Sequence, residues 1–258
     1  MKTPLIIDHI VNWLRDYALS AGCKGFVIGI SGGIDSAVTS TLCARTGLEL
    51  LCLEMPIHQE ANQDQRAARH IQWLKDNFED ISSERIELTA SYDSMRGALP
   101  LANGPAHDLS LVNTRARLRM STLYYFAGSK GYLVAGTGNK VEDFGVGFYT
   151  KYGDGGVDLS PIADLMKSDV YSIARKLNIN QEIIEAAPTD GLWGDDRTDE
   201  DQLGASYDEL EWAMEFAGDD SNLDDRQKEV LAIYRRLNRI NQHKMIPIPV
   251  CLIPENIR

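Results

Sequence analysis

The chain has 258 residues, with 26 Lys and Arg against 38 Asp and Glu, and its net charge is therefore −12. Its hydrophobic share of 43% and charged share of 25% are ordinary for a globular protein and exclude wholesale disorder. No apolar run approaches the roughly 20 residues that span a bilayer, so we expect no membrane segment. A chain with this much negative charge is also poorly suited to binding nucleic acid, because the phosphate backbone is negatively charged as well.

The cysteines and the N-terminus predict a cytoplasmic location. Cys23, Cys43, Cys52 and Cys251 form no CxxC pair and have no disulfide-like spacing, which is typical of reduced thiols in a cytoplasmic protein. The apolar N-terminal stretch is interrupted at residues 8 and 9 by Asp and His, so it does not have the layout of a signal peptide.

Helix and strand patterns alternate through the first half of the chain. A helix over 4–23 precedes two apolar strands, at 25–30 and 48–55, which are separated by a helix over 36–44. Further elements are predicted in the order of a helix around 67–74, a weaker strand at 85–89, a long helix at 108–129 with Asp108 as its N-cap, and a strand at 132–135.

This order predicts an α/β fold, in which an open parallel sheet carries helices on both faces. Residues 138–160 are rich in Gly and aromatic residues without a clear period, which favours a functional loop. Helices then begin near Lys167, Ser206 and Asp224 and form a helical C-terminal annex. We find no internal repeat and expect residues 1–258 to form a single domain.

The segment Ser31-Gly32-Gly33-Ile34-Asp35-Ser36 follows the first strand and opens a helix; we call it the phosphate loop. Two glycines let backbone N–H groups approach a phosphate, and the positive end of the helix faces the same place. Asp35 would repel phosphate unless a cation lay between them, and this favours the interpretation of Asp35 as a ligand of Mg²⁺. The alternative is an ordinary glycine turn with a polar helix cap.

A second candidate segment follows the fourth strand, at the same edge of the sheet. Gly136-Thr137-Gly138-Asn139-Lys140-Val141-Glu142 offers the hydroxyl of Thr137 to a nucleotide and the carboxylate of Glu142 to the same cation. The alternative here is a turn before a solvated helix start. Residues 148–158 then combine three aromatic residues, three glycines and two acids, an unusual composition for a plain linker.

The phosphate loop lacks the Lys of a Walker A motif and resembles the signature of the ATP pyrophosphatases, or PP-loop enzymes. From the first helix to the last, the chain resembles the ammonia-dependent NAD synthetases. The motifs that match in order are residues 31–36, 136–142, 149–158, 161–167, 188–190, 206–209 and 243–244. The resemblance implies an adenine-nucleotide α-hydrolase-like, Rossmann-like fold.

The resemblance also implies a reaction. ATP and ammonia would amidate nicotinic acid adenine dinucleotide (deamido-NAD) to NAD, through an NAD-adenylate and with release of AMP and pyrophosphate, as the last step of NAD biosynthesis. Mg²⁺ would be the cofactor, ATP a co-substrate, and a homodimer the usual assembly.

The roles of individual residues follow from the same resemblance. Catalytic roles are expected for Asp35, Asp154 and Lys167, with Asp154 near the incoming ammonia. Asp35 and Glu142 would bind Mg²⁺. ATP would contact Gly29, Ile30, Ser31, Gly32, Gly33, Ile34, Asp35, Ser36, Thr137, Lys167 and Thr189. Deamido-NAD would contact Arg117, Lys151, Asp158, His243 and Lys244.

Three features depart from or fall outside this pattern. The stretch from Glu142 to Thr150 is one residue longer than in many members of the family. Several members carry Arg near the end of the second strand, where this chain has Glu54. Arg115 and Arg119, which do not match a family motif, are interpreted as a solvated helix face.

Two other functions remain open at this stage. A PP-loop enzyme that thiolates tRNA would favour a basic surface and catalytic cysteines, which this composition does not offer. A nucleotide-binding sensor without turnover would have less need of both Asp35 and Glu142. A glutamine-dependent synthetase would need an added glutaminase domain, for which 258 residues leave no room, although a separate glutaminase could supply the ammonia.

Overall fold

The computed structural model describes residues 2–58, 61–100, 102–188 and 198–258. Helices and strands alternate in its first half, as the sequence predicts. The elements are α1 (Thr3–Ser20), β1 (Gly25–Gly29), α2 (Ile34–Ala44), β2 (Glu49–Glu54), α3 (Ala61–Asn77), β3 (Ile81–Arg85), α4 (Thr89–Ala98), α5 (Pro105–Lys130) and β4 (Tyr132–Val134).

The described strands form one parallel sheet in the order β3-β2-β1-β4. The central strand β1 pairs with β2 from Gly25 opposite Glu49, and with β4 from Gly25 opposite Tyr132. Parallel neighbours cannot be joined by a hairpin, so the helices between them serve as crossovers. The predicted open parallel sheet is confirmed.

Helices cover both faces of the sheet because successive residues of β1 point in opposite directions. Phe26 and Ile28 pack into a hydrophobic cluster with α1, α2 and α6 (Lys167–Lys176), whereas Val27 belongs to a second cluster with α4 and α5. Both faces are therefore buried, which accounts for the continuous apolar run of this strand.

The C-terminal part is helical and has a hydrophobic cluster of its own. Its helices are α6 (Lys167–Lys176), α7 (Gln181–Ile184), α8 (Asp199–Leu203), α9 (Tyr207–Glu215) and α10 (Asp225–Met245). Ser206 and Asp224 accept N–H groups of the first turns of α9 and α10, so the predicted helix starts are confirmed. In the described ranges no helix is long and apolar enough to cross a membrane.

The third strand and the start of the long helix were predicted at the wrong residues. The third strand is Ile81–Arg85 and not 85–89, because its Ser and Glu residues lie at an exposed sheet edge where hydrophobic periodicity is weak. Thr89 instead begins α4. The long helix begins at Pro105 with Gly104 as its N-cap, and Asp108 lies in its first turn, since proline is well suited to the first helical position.

A π-helix spans Val141–Val146 and includes the last two residues of the second candidate segment. A π-helical turn holds about one residue more than an α-helical turn and occurs often at functional sites. Glu142 lies in the first turn of this π-helix, so a candidate site residue belongs to an irregular segment.

Candidate functional site

A cavity of about 300 Å³ opens at the carboxyl ends of the strands. The phosphate loop leaves β1 at this edge, and Met55 and Thr137 line the cavity after β2 and β4. In open α/β sheets this is the edge at which ligands bind. The two candidate segments therefore lie at one site, as predicted.

The phosphate loop is held mainly by its own backbone and hydroxyl groups. Gly32 has a φ of +80°, a left-handed conformation that favours glycine. The hydroxyl of Ser31 accepts the N–H of Gly33 at 3.2 Å, and the hydroxyl of Ser36 accepts the N–H of Ser31 at 3.3 Å. The first N–H groups of α2 have no partner within the helix, so its N-terminus favours an anion.

Asp35, Glu142 and Lys167 form what we call the charged cluster. Lys167 Nζ lies 2.6 Å from Asp35 Oδ2 and 3.0 Å from Glu142 Oε1, and only 3% of the lysine side chain is exposed. A residue of the phosphate loop, one of the turn after β4 and the first residue of α6 thus meet. The predicted proximity of Asp35 and Glu142 is present in the structure.

Two further side chains orient the charged cluster. Asn139 donates its side-chain N–H to Asp35 Oδ1 at 3.2 Å, while its oxygen accepts the N–H groups of Val141 and Glu142. Tyr207 donates its hydroxyl to Glu142 Oε1 at 2.6 Å. Each carboxylate is therefore fixed by a neutral donor as well as by Lys167.

The pKa values of the charged cluster reflect burial opposed by pairing. Burial raises the pKa of Asp35 even though Lys167 acts against it. Burial also disfavours the charge on Glu142, but Lys167 and the Tyr207 hydroxyl outweigh it and lower the pKa of Glu142. The two carboxylates likewise overcome the burial of Lys167 and raise its pKa, so the ammonium is the stable form.

The donor set of the charged cluster suits Mg²⁺. Asp35 and Glu142 offer hard carboxylate oxygens around a point that already attracts a cationic nitrogen, Lys167 Nζ. In the described part of the chain, no group of three or more His, Cys, Asp or Glu residues could hold a metal. Mg²⁺ is commonly bound by one or two carboxylates together with substrate phosphates, so two carboxylates are a sufficient protein contribution.

Three more acids lie near the charged cluster. Asp199 lines the cavity, and its Oδ2 lies 3.4 Å from the Tyr207 hydroxyl. Asp154 lines the cavity and accepts the N–H of Thr150 at 3.0 Å. Desolvation, with a smaller contribution from Glu142, raises the pKa of Asp154 to about 6. Desolvation and the charges of neighbouring acids raise the pKa of Asp143, in the π-helix, to about 8. Asp154 can therefore change its protonation state close to neutral pH.

In the part of the chain that the structure describes, the residues predicted to contact deamido-NAD are not among those that line this cavity. Arg117 donates to the carbonyl of Lys151, and Lys151 donates to the carbonyl of His243, so these three are joined in a chain. Lys244 donates to the carbonyls of residues 147 and 149. Asp158 accepts from the Tyr124 hydroxyl and from the backbone of β4. Their substrate contacts stay a prediction.

The residues predicted to contact ATP mostly converge. Thr137 and Lys167 line the cavity, and so do Gly29, Ile30, Ser31, Gly33, Ile34, Asp35 and Ser36. The carbonyl of Gly32 accepts a hydrogen bond from Arg66, another cavity residue. Thr189 lies outside the described residues.

The interpretation of Arg115 and Arg119 as a solvated face is wrong, because both side chains are half-buried. The Arg115 guanidinium lies 5.0 Å from the centre of the Tyr92 ring. Arg119 lines the cavity and donates to the carbonyl of Met55. The glutamate at the end of β2, Glu54, also lines the cavity and forms an ion pair with a β3 arginine at 3.4 Å.

Sequence reasoning did not assign Arg66, Arg119, Asn139 and Tyr207 to this site. Asn139 could have been found, because it lies between Thr137 and Glu142 in a segment already singled out. Tyr207 lies within a matched family motif, but nothing in the local pattern indicates a contact with a residue 65 positions earlier. The two arginines lie on helices whose local sequence does not show which face meets the cavity.

The fold and the site define a Rossmann-like α/β nucleotide-binding protein, in which an anion site at a helix N-terminus faces two carboxylates. Comparison with known proteins then gives the family. The model of the NAD synthase family matches residues 6–246, and the chain belongs to that family.

The relatives extend over nearly the whole chain. The NH(3)-dependent NAD(+) synthetase of Carboxydothermus hydrogenoformans is 36% identical over 246 residues, covering 92% of this chain and 93% of the relative. An NMN synthetase structure from Francisella tularensis has a TM-score of 0.86 at 30% identity and covers 99% of both chains. An NH3-dependent NAD synthetase structure from Campylobacter jejuni has a TM-score of 0.77 at 28% identity, with 98% and 100% covered.

Proposed function

We propose that this protein uses ATP and ammonia to convert deamido-NAD into NAD, with release of AMP and pyrophosphate. One observation carries the proposal within the family: Lys167 joins Asp35 of the phosphate loop to Glu142 of the turn after β4, at the floor of one cavity. This arrangement places an anion site beside two potential cation ligands, which is what the transfer of an adenylyl group requires.

The reaction has two steps. A carboxylate is a poor electrophile because its leaving group would be an oxide ion. An oxygen of the nicotinate carboxylate therefore attacks the α-phosphorus of ATP, the bond to the β-phosphate oxygen breaks, and pyrophosphate leaves. Ammonia then attacks the carbonyl carbon of the resulting NAD-adenylate, AMP leaves with the carboxyl oxygen, and the nitrogen loses a proton to form the amide.

The residues of the chain supply charge stabilisation in the first step. The N–H groups at the start of α2 hold phosphate oxygens, and the ammonium of Lys167 stabilises negative charge on the transferred group. Asp35 and Glu142 are proposed to hold Mg²⁺, which when bound neutralises charge on the phosphates. Removing one preorganised contact of this kind costs about 3–4 kcal/mol of barrier in comparable sites.

Asp154 is proposed to act in the second step. Asp154 lines the cavity, so its carboxylate can hold an ammonium ion there. The same carboxylate can accept the proton that the attacking nitrogen must lose. Its pKa of about 6 is high for an aspartate and brings it closer to the range in which general bases are effective.

The assembly and location are proposed from the family alone. We propose a homodimer of single-domain chains in the cytoplasm. Exposed apolar side chains on α5, among them Leu109 and Tyr125, would be available to a second copy. Light scattering on the purified protein measures the assembly, and a monomer at all concentrations would contradict it.

A second candidate substrate is nicotinic acid mononucleotide, whose amidation gives NMN by the same two steps. The observation that favours it is the match to the Francisella tularensis NMN synthetase, whose TM-score of 0.86 exceeds the 0.77 of the Campylobacter jejuni enzyme. The two candidates share the reacting carboxylate and differ only in the adenylyl half of the substrate.

The deciding experiment incubates the purified protein with ATP, Mg²⁺ and ammonium, and with either deamido-NAD or nicotinic acid mononucleotide. We expect NAD, AMP and pyrophosphate in equal amounts, and Asp35→Ala should be nearly inactive. Asp220→Ala is the matched control, because Asp220 is an exposed aspartate paired with Arg235. ADP in place of AMP would contradict the reaction, and a higher kcat/KM with the mononucleotide would favour the second candidate.

A further inference from the structure

Tyr207 contacts both charges of the pair Glu142–Lys167. It is the first residue of α9 and only 5% exposed. Its hydroxyl donates to Glu142 Oε1 at 2.6 Å, and its ring centre lies 4.7 Å from Lys167 Nζ. A ring face at this distance attracts an ammonium, so one side chain binds the carboxylate through its hydroxyl and the cation through its ring.

The position of Tyr207 is set by the C-terminal annex. Its backbone N–H donates to Glu200 Oε1 of α8 at 2.8 Å, and Ser206 caps the helix that it begins. Its side chain belongs to the hydrophobic cluster of the annex. The sheet and the phosphate loop do not determine where this hydroxyl lies.

The hydrogen bond constrains a carboxylate whose orientation matters. Lys167 and Tyr207 both bind Oε1 of Glu142, so the direction in which Oε2 points is fixed as well. Partners that orient a metal-binding carboxylate typically change metal affinity or activity by roughly 10–100-fold when they are removed.

We propose that Tyr207 is a positioning residue for the cation site, which orients Glu142 through its hydroxyl and holds the ammonium of Lys167 against its ring. The inference rests on the metal site of the proposed function and does not depend on which nucleotide is amidated. It assigns to the annex a direct part in the site at the sheet edge.

A merely structural role for Tyr207 makes a different prediction, and the chain offers a matched control. Tyr132 is a second buried tyrosine, 7% exposed, whose hydroxyl donates to the carboxylate of Glu49. It lies where β4 begins, opposite Gly25 and thus at the other end of the sheet from the cavity. Tyr207→Phe and Tyr132→Phe remove the same kind of hydrogen bond in two places.

The experiment measures binding of Mn²⁺ in the presence of a non-hydrolysable ATP analogue, from the electron paramagnetic resonance signal of the free ion. We expect Tyr207→Phe to weaken Mn²⁺ binding by at least about tenfold, the lower end of the effect that loss of an orienting partner has on metal affinity. Tyr132→Phe should bind Mn²⁺ as the wild type does. Equal affinities of the two variants would overturn the proposal.

The Mg²⁺ dependence of the reaction rate is a second measurement, and a role of Tyr207 in packing alone would not change it. In the amidation assay, Tyr207→Phe should require at least about tenfold more Mg²⁺ for half-maximal rate, and saturating Mg²⁺ should recover most of the loss. The KM for the nicotinate substrate should stay within about twofold, because Tyr207 contacts the carboxylate that binds metal. A loss of rate that Mg²⁺ does not recover would count against the proposal.

A pair of variants at Glu200 covers the case in which Tyr207→Phe does not fold. Glu200→Ala removes the acceptor for the Tyr207 N–H, whereas Glu200→Gln keeps an acceptor and changes only the charge. We expect the Ala variant to bind Mn²⁺ at least about threefold more weakly than the Gln variant, and equal binding would overturn the proposal. The Mn²⁺ readout needs no nicotinate substrate or ammonia, so an error in the substrate assignment would not affect it.

Discussion

The phosphate loop and the charged cluster meet at one cavity but are built in different ways. The phosphate loop is one continuous segment, shaped by a left-handed glycine and by bonds among its own backbone and hydroxyl groups. The charged cluster joins side chains from positions 35, 142 and 167, which three different elements bring together.

The two regions are therefore sensitive to different kinds of substitution. A site made of backbone N–H groups depends on conformation and tolerates many side chains, provided that each residue can adopt the required φ and ψ. A site made of buried charges depends on side-chain chemistry, because the loss of one charge leaves its partners buried and unpaired. Substitutions in the two regions should therefore have different effects on turnover, stability and nucleotide binding.

Lys167→Met should have the largest effect, because it leaves Asp35 and Glu142 next to each other without their cation. We expect turnover to fall by roughly 10²–10³-fold and the free energy of unfolding to fall by about 3–5 kcal/mol. Added Mg²⁺ should restore part of the stability and none of the turnover. Urea unfolding with and without Mg²⁺, together with steady-state kinetics, measures both.

The control for this prediction is Lys140→Met. Lys140 forms an exposed ion pair with Asp164, and exposed pairs contribute less than about 1 kcal/mol. If the two lysine variants lost equal stability, the buried charges would not be the reason.

Asp154→Asn should have the next largest effect, on the ammonia step alone. The carboxylate is the form that holds ammonium, so activity should fall as pH drops through the Asp154 pKa of about 6. The Asn variant should lose roughly 10²-fold in kcat/KM for ammonia and show no such fall with pH. The measurement is a pH profile at constant free ammonia. If the variant still lost activity at low pH as the wild type does, a group other than Asp154 would be responsible for that loss.

Gly32→Ala tests the backbone region. The φ of +80° at Gly32 costs a residue with a Cβ about 1–2 kcal/mol. We expect the KM for ATP to rise by roughly tenfold, with little change in the Mg²⁺ requirement. Gly128→Ala is the control, because a Cβ there meets open space within α5 and alanine favours a helix. An unchanged KM for ATP in Gly32→Ala would show that the loop conformation does not determine nucleotide binding.

Asp224→Ala should have the smallest effect. Asp224 accepts the N–H of Gln227 and caps α10 at a distance from the cavity. Its loss should lower the free energy of unfolding by about 1 kcal/mol and leave kcat and KM unchanged. Thermal unfolding and steady-state kinetics test this, and altered kinetics would connect the start of α10 to the site.

The sequence predicted the backbone region more completely than the side-chain region. The phosphate loop is contiguous, so its residues were found together, and the parallel-sheet rule placed Glu142 at the same edge. The helix α4 was not predicted, and β3 was misplaced, because an exposed edge strand carries little hydrophobic periodicity. The prediction of a single domain over 1–258 remains untested.

The side chains that orient the charged cluster were harder to find, for a physical reason. Tyr207 and Arg119 reach the site from α9 and α5, and the packing of these helices in the folded chain decides which of their residues meet it. Periodicity identifies the apolar face of such a helix, but it does not show which polar residue at the margin of that face meets a charge.

Lys167 also has a consequence for how the folded chain relates to its surroundings. Because the protein carries its own counter-ion for two neighbouring acids, we expect the chain to fold without a divalent ion. Treatment with a chelator such as EDTA should therefore stop the proposed reaction while leaving the circular dichroism spectrum unchanged. In a cell, the working rate of the enzyme would then follow magnesium supply more closely than the amount of folded enzyme would.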